Sequence, residues 1–133
     1  DPETNIETAK RVRKLYPHLK IIARARNRQH VHLLLDAGVE PVRETFFSSL
    51  EMSRMVLCGL GLSEEQAEER IRRFRRHDEE VLASQHLFYN DRDALIKSAR
   101  EARVELETLF QTDQLEDRGA VAAETPEKPS RAS

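Results

Sequence analysis

The sequence predicts an α/β fold: the C-terminal half of a doubly wound parallel sheet, followed by a helical extension and a disordered tail. Three observations carry this reading. A short apolar run, Leu19-Lys20-Ile21-Ile22-Ala23-Arg24-Ala25-Arg26, reads as a strand flanked by segments with helical periodicity. The order helix, strand, helix, strand, helix through residue 62 is half of a doubly wound arrangement. From Ser63 onward helix breakers become rare, until Glu, Ala, Pro and Ser take over after Thr112.

Each element follows from local chemistry. Asp1-Pro2-Glu3-Thr4-Asn5 supplies an N-cap and acidic residues at the positive end of a helix dipole. Ile6, Ala9, Val12, Arg13 and Tyr16 then recur at helical spacing until Pro17 stops the helix. The strand spans 19–26. Asn27 caps a short helix carrying Val31, Leu34 and Leu35, and Gly38 stands where a left-handed C-terminal cap is expected. Val39 to Val42 forms a second strand, and a helix follows from Glu44 to Leu60. Two short strands leave apolar helix surface uncovered, so an upstream half of the sheet is expected.

Ser63-Glu64-Glu65-Gln66 is a capping box opening a long helix, with Ala67, Ile71, Phe74, Val81 and Phe88 along one face. Asn90 to Asp93 caps a further helix striped by Leu95, Ala99, Ala102, Leu106 and Leu109. That stripe needs a partner, either the preceding helix or another subunit. The organisation expected is therefore a half-domain at 1–62, a helical extension at 63–111 and a disordered tail at 112–133.

Composition narrows the function classes. The 133 residues carry 35% charged side chains with a net charge of −2, so both signs are dense and no global field favours nucleic acid. One cysteine, Cys58, has no partner for an internal disulfide, in keeping with a reducing compartment. No apolar run approaches the roughly 20 residues that span a bilayer. The basic run Arg70-Ile71-Arg72-Arg73-Phe74-Arg75-Arg76 is answered at helical spacing by Glu68, Glu69, Glu79 and Glu80, which predicts a self-neutralised face.

The candidate site lies at the end of the first strand. Alternation places Ile22, Arg24 and Arg26 on one face and Ile21, Ala23 and Ala25 on the other. Ligands of open parallel sheets bind outside the carboxyl ends of the strands. Arg24 and Arg26 stand there, and Arg28 follows in the first turn of the next helix. Three guanidinium groups beside a helix N-terminus predict an anion site, the alternative being a set of ion-paired surface arginines. The rest of the chain offers no catalytic constellation. His30 and His32 point about 200° apart on a helix, which argues against a shared metal. Gly59-Leu60-Gly61 follows a helix instead of a strand and so reads as a helix terminator, not a phosphate-gripping turn. Cys58 sits among Met55, Val56, Leu57 and Leu60 and reads as a buried small residue.

The order Asp1-Pro2-x-Thr4-Asn5, Tyr16-Pro-His-Leu-Lys-Ile-Ile-Ala-Arg-Ala-Arg26, Asp36-Ala-Gly-Val39 and Arg43-Glu-Thr-Phe46 resembles the Kef-type glutathione-regulated potassium-efflux antiporters. The likeness is to the second half of their cytoplasmic RCK or KTN (TrkA-N-like) regulatory domain, a Rossmann-like fold. It extends through Gly61–Leu62 and the Arg72–Arg76 neighbourhood, roughly the first 80 residues. Between Gly38 and Arg43 this chain is one residue shorter than the family pattern, so no ligand contact is assigned within 47–62.

The resemblance implies a non-enzymatic sensor attached to a membrane potassium/proton antiporter at the cytoplasmic face of the bacterial inner membrane. In that family the domain is a homodimer and binds NAD or AMP in its Rossmann half. Glutathione holds efflux shut, and glutathione adducts open it. An ancillary quinone oxidoreductase docks on the cytoplasmic region. Carried onto this sequence, Arg24, Arg26 and Arg28 would meet glutathione, and Asp1 and Asn5 would lie near the nucleotide. Arginine suits the ligand, because glutathione has two carboxylates and a guanidinium pairs with a carboxylate through two hydrogen bonds. The alternatives are half of a nicotinamide-dependent oxidoreductase, and a helical protein or nucleic-acid interaction module.

Overall fold

The computed structural model describes the backbone of residues 1–124 and the side chains of residues 1–116. The elements in order are α1 (Pro2–Leu15), β1 (Ile22–Ala25), α2 (Arg28–Asp36), β2 (Glu40–Arg43), α3 (Phe46–Gly59), α4 (Glu64–Gln85), a 3-10 turn at His86–Phe88, and α5 (Arg92–Glu124). The α/β character and the element order agree with expectation.

The two strands pair in parallel, Ile22 opposite Glu40 and Ala25 opposite Arg43, with α2 as the connection between them. Side chains alternate along β1 as the sequence implies: Ala25 is fully buried, whereas Ile22 is 60% exposed. The strand is shorter than the predicted 19–26, and hydrogen bonding shows why. Leu19 N–H closes a turn onto Tyr16 C=O at 3.1 Å, and Leu19 C=O accepts from Arg13 at 2.7 Å. At the other end Arg26 N–H donates to Nδ1 of His30 at 3.0 Å. Backbone groups committed elsewhere cannot join a ladder.

Two glycines end helices by the same device. Gly38 has φ +73°, and the N–H groups of Gly38 and Val39 return to Leu35 and Leu34 C=O. Gly61, at φ +105°, does likewise with Leu62, onto Cys58 and Leu57 C=O. Both are Schellman closures, which need a left-handed residue that glycine supplies at no steric cost. At the start of α4, Ser63 Oγ accepts from Gln66 N–H at 3.1 Å and Gln66 Oε1 accepts from Ser63 N–H at 2.9 Å, completing the capping box.

The core joins Ile6 and Ala9 of α1, Ala25 of β1, Val31 and Leu34 of α2, Val39, and Leu82 of α4. Leu82 therefore seals the helical extension onto the sheet half. Helices α3 and α4 pack together, and each buries a residue, Leu50 in α3 and Ala67 in α4. Cys58 is a free, half-buried thiol.

Helix α5 packs back along α4. Arg73 binds Asp113 at 2.8 Å, His77 meets Glu105 at 2.9 Å, and Gln85 donates to Ser98 at 3.2 Å, a set of pairs that makes the helices antiparallel. The partner of the α5 stripe is thus the preceding helix, with Ser98 in the inward place expected of Ala99, which is exposed. The predicted tail from 112 is corrected over 112–124, where α5 continues without a break. Asp113, only 5% exposed, is held by Arg73, which also binds Glu116 at 2.7 Å, so tertiary ion pairs extend the helix beyond its apolar stripe. The remainder of the predicted tail, 125–133, lies outside the described residues. Among the described residues no helix is long and apolar enough to cross a membrane.

Candidate functional site

At the carboxyl end of the sheet, Asp1, Pro2 and Asn5 of α1, Arg24 and Arg26 of β1 and its exit, His30 of α2 and Glu44 enclose a hollow of about 190 Å³. Each side is placed by a local bond. Asp1 caps α1, its carboxylate accepting from Glu3 N–H at 3.3 Å. Asn5 donates its side-chain amide to Arg24 C=O at 3.1 Å, pinning α1 to the end of β1. Asn27 caps α2 by accepting from His30 N–H at 2.8 Å.

Arg24 and Arg26 are both exposed cations of the hollow. The Arg24 side chain is 73% exposed and reaches Glu44 at 3.5 Å, a long surface ion pair that water screens. His30 is 3% exposed, and its Nδ1 accepts from the Arg26 backbone, so the ring proton sits on Nε2, a buried atom with no hydrogen-bond partner among the described residues. Burial first, then the neighbouring Arg26 guanidinium, pushes this imidazole below its ordinary value of 6.5 and keeps it neutral.

Arg28 is elsewhere. It donates to Asp78 at 2.9 Å and to Gln85 at 3.2 Å, both on α4. Arg43, at the end of β2, donates to the other oxygen of Asp78 at 2.5 Å and lies 3.5 Å over the Phe46 ring. The structure therefore brings Arg24, Arg26, Asp1 and Asn5 to one hollow and turns Arg28 toward a separate cluster around Asp78. Sequence reasoning missed that cluster. Its local signals were the position of Arg43 at a strand end and the polar residues Asp78 and Gln85 interrupting the apolar face of α4.

The basic run of α4 is largely answered within the fold. Arg72 and Arg73 bind Glu69, Arg75 binds Glu79 at 2.8 Å, and Arg73 also holds α5.

A parallel strand pair with its polar hollow at the carboxyl edge, braced by a long antiparallel helical pair, defines an α/β half-domain with a helical extension. The TrkA-N domain model matches residues 1–43, and the model described as the potassium efflux system KefB C-terminal domain matches residues 48–128. The second match covers more than half of the chain, which belongs to that family: it is the RCK/KTN regulatory region of a Kef-type potassium efflux system. The resemblance expected from the sequence is thereby established.

Proposed function

We propose that this chain is the ligand-sensing region of a glutathione-gated potassium/proton antiporter, with Arg24 as the principal contact for a carboxylate of glutathione or its adduct. The observation that carries the reading is the state of Arg24: exposed at the mouth of a polar hollow and, among the described residues, held only by a long bond to Glu44. A ligand carboxylate can replace Glu44 and gain a paired, two-bond geometry. Arg26, on the same rim, adds a second positive charge for the second carboxylate. Arg28 stands outside this proposal, since Asp78 and Gln85 occupy its guanidinium.

Asp1 and Asn5 shape the hollow where an upstream half of the sheet would bring NAD or AMP. Homodimerisation is supported by the apolar surface of α3, where Met52, Met55 and Val56 are each at least 60% exposed. In this reading the domain acts by binding and relay, without catalysis, at the cytoplasmic face of the inner membrane, and an ancillary quinone oxidoreductase docks on the helical extension.

Calorimetry of glutathione against the native regulatory region tests the assignment. Arg24→Ala is expected to weaken binding by about tenfold, or 1.4 kcal/mol. Unchanged affinity would remove Arg24 from the site.

A further inference from the structure

His32 and His86 stand 54 positions apart in sequence, yet their Nδ1 atoms face each other at 3.0 Å. His32 lies in α2 and is 2% exposed; His86 begins the 3-10 turn that follows α4. The Tyr89 ring stacks on both, with centroids 4.9 Å from His32 and 5.4 Å from His86. Asp36, one turn further along α2, accepts from the Tyr89 hydroxyl and lies 3.1 Å from Nε2 of His86. The cluster therefore fastens a helix of the TrkA-N-matched segment to the α4–α5 connection of the KefB-matched segment. Nothing in the proposed ligand site uses it.

Its hydrogen bonds depend on how many protons it holds. Asp36 favours a proton on Nε2 of His86, leaving Nδ1 of neutral His86 to accept from Nδ1–H of His32. A single added proton is also accommodated. His86 becomes an imidazolium facing Asp36, and its Nδ1–H donates to His32 in the opposite tautomer. A second added proton sets one N–H against another at 3.0 Å, with no acceptor between them and two positive charges in contact.

The surroundings do not relieve this. The charged and titratable groups acting on His32 are His86, Arg28 and Asp36, and only Asp36 favours its cation. Tyr89 contributes no charge, because its bond to Asp36 raises the phenol above its ordinary value. Burial, followed by His86 and Arg28, lowers His32 below the usual imidazole value of 6.5.

We propose that His32 and His86 form a proton-operated latch between the sheet half and the helical extension, closed with zero or one added proton and released by the second. The sign follows from linkage. His32 lies below its ordinary value in the closed form and returns to it on opening, so the open form binds more protons, and closure is favoured above the ordinary value of 6.5 and lost progressively as pH falls below it.

Amide hydrogen exchange on the native protein, corrected for intrinsic rates, tests the latch at about pH 7.5 and about pH 5. Protection over residues 86–95 should fall by about tenfold or more at the lower pH. His32→Asn keeps an amide near the Nδ1 position but cannot titrate, so its protection should change by less than about twofold. Unchanged protection in the unmodified protein, or an equal loss in the His32→Asn variant, would overturn the proposal. Should that variant fail to fold, ring-proton NMR of the unmodified protein still decides. His32 titrating below the ordinary imidazole range, as one of a coupled pair, supports the latch; two independent, ordinary titrations refute it.

Discussion

Arg13 donates from Nη2 to the carbonyl of Gly38 at 2.5 Å, across 25 positions of sequence. Its Nη1 meanwhile serves Pro17 C=O at 3.1 Å and Leu19 C=O at 2.7 Å. One guanidinium thus ties the end of α1, the approach to β1 and the turn into β2. Hydrogen bonds from a charged donor to backbone carbonyls are strong, so Arg13→Ala should destabilise the protein by about 2 kcal/mol in urea unfolding. Gly38→Ala should cost about 1–2 kcal/mol through its positive φ. Its new Cβ would also sit 3.3 Å from Arg13 Nε, so the two effects should not add.

Glu44 pairs with Arg24 at 3.5 Å and, in the proposed site, would compete with a ligand carboxylate for it. Glu44→Gln removes that competitor and one negative charge from the rim, and should tighten glutathione binding by about threefold with little change in stability. Calorimetry on the native region reads this directly, and weaker binding would mean that Glu44 is itself a ligand contact.

Asp78 carries two arginines from the sheet half, and both it and Arg43 are mostly buried, with side chains 20% and 15% exposed. Asp78→Ala leaves both guanidiniums without their carboxylate at a half-dry junction. The expected loss is about 2 kcal/mol in denaturant unfolding, with Asp78→Asn losing about half of that. Equal stability of all three proteins would show the cluster to be solvated in solution.

Ser63→Ala removes the acceptor for Gln66 N–H at the start of α4 and should cost about 1 kcal/mol. Because α4 bridges the sheet half and α5, the loss should appear in global melting and not only as local fraying. A change confined to exchange of residues 64–67 would mean that α4 folds independently of its neighbours.

The parts of the fold readable from the chain are those closed by nearby residues. Asn27, Ser63, Gly38 and Gly61 announce their caps because each cap bond spans no more than about five positions. The alternation Ile22-Ala23-Arg24-Ala25 likewise placed Arg24 on an open face before any neighbour was known. Other features depended on distant groups. Strand β1 stops at Ala25 because His30 takes the next N–H, and α5 passes 112 because Arg73 waits on another helix for Asp113 and Glu116. The proposed anion site was legible in part for the same reason. Arg24 and Arg26 follow from strand geometry, whereas Arg28 is drawn away by an acid 50 positions on.

The sequence by itself determined the helix and strand order, the cap positions and the exposed arginine at the sheet edge. These rest on backbone sterics and short hydrogen bonds, which need no folded surroundings. Only the tertiary structure decided which polar groups meet: Arg13 with Gly38, Arg28 and Arg43 with Asp78, His32 with His86. Such pairs form because packing of Leu34, Leu82 and their neighbours has already met the entropy cost of bringing remote segments together, a cost that no local pattern records.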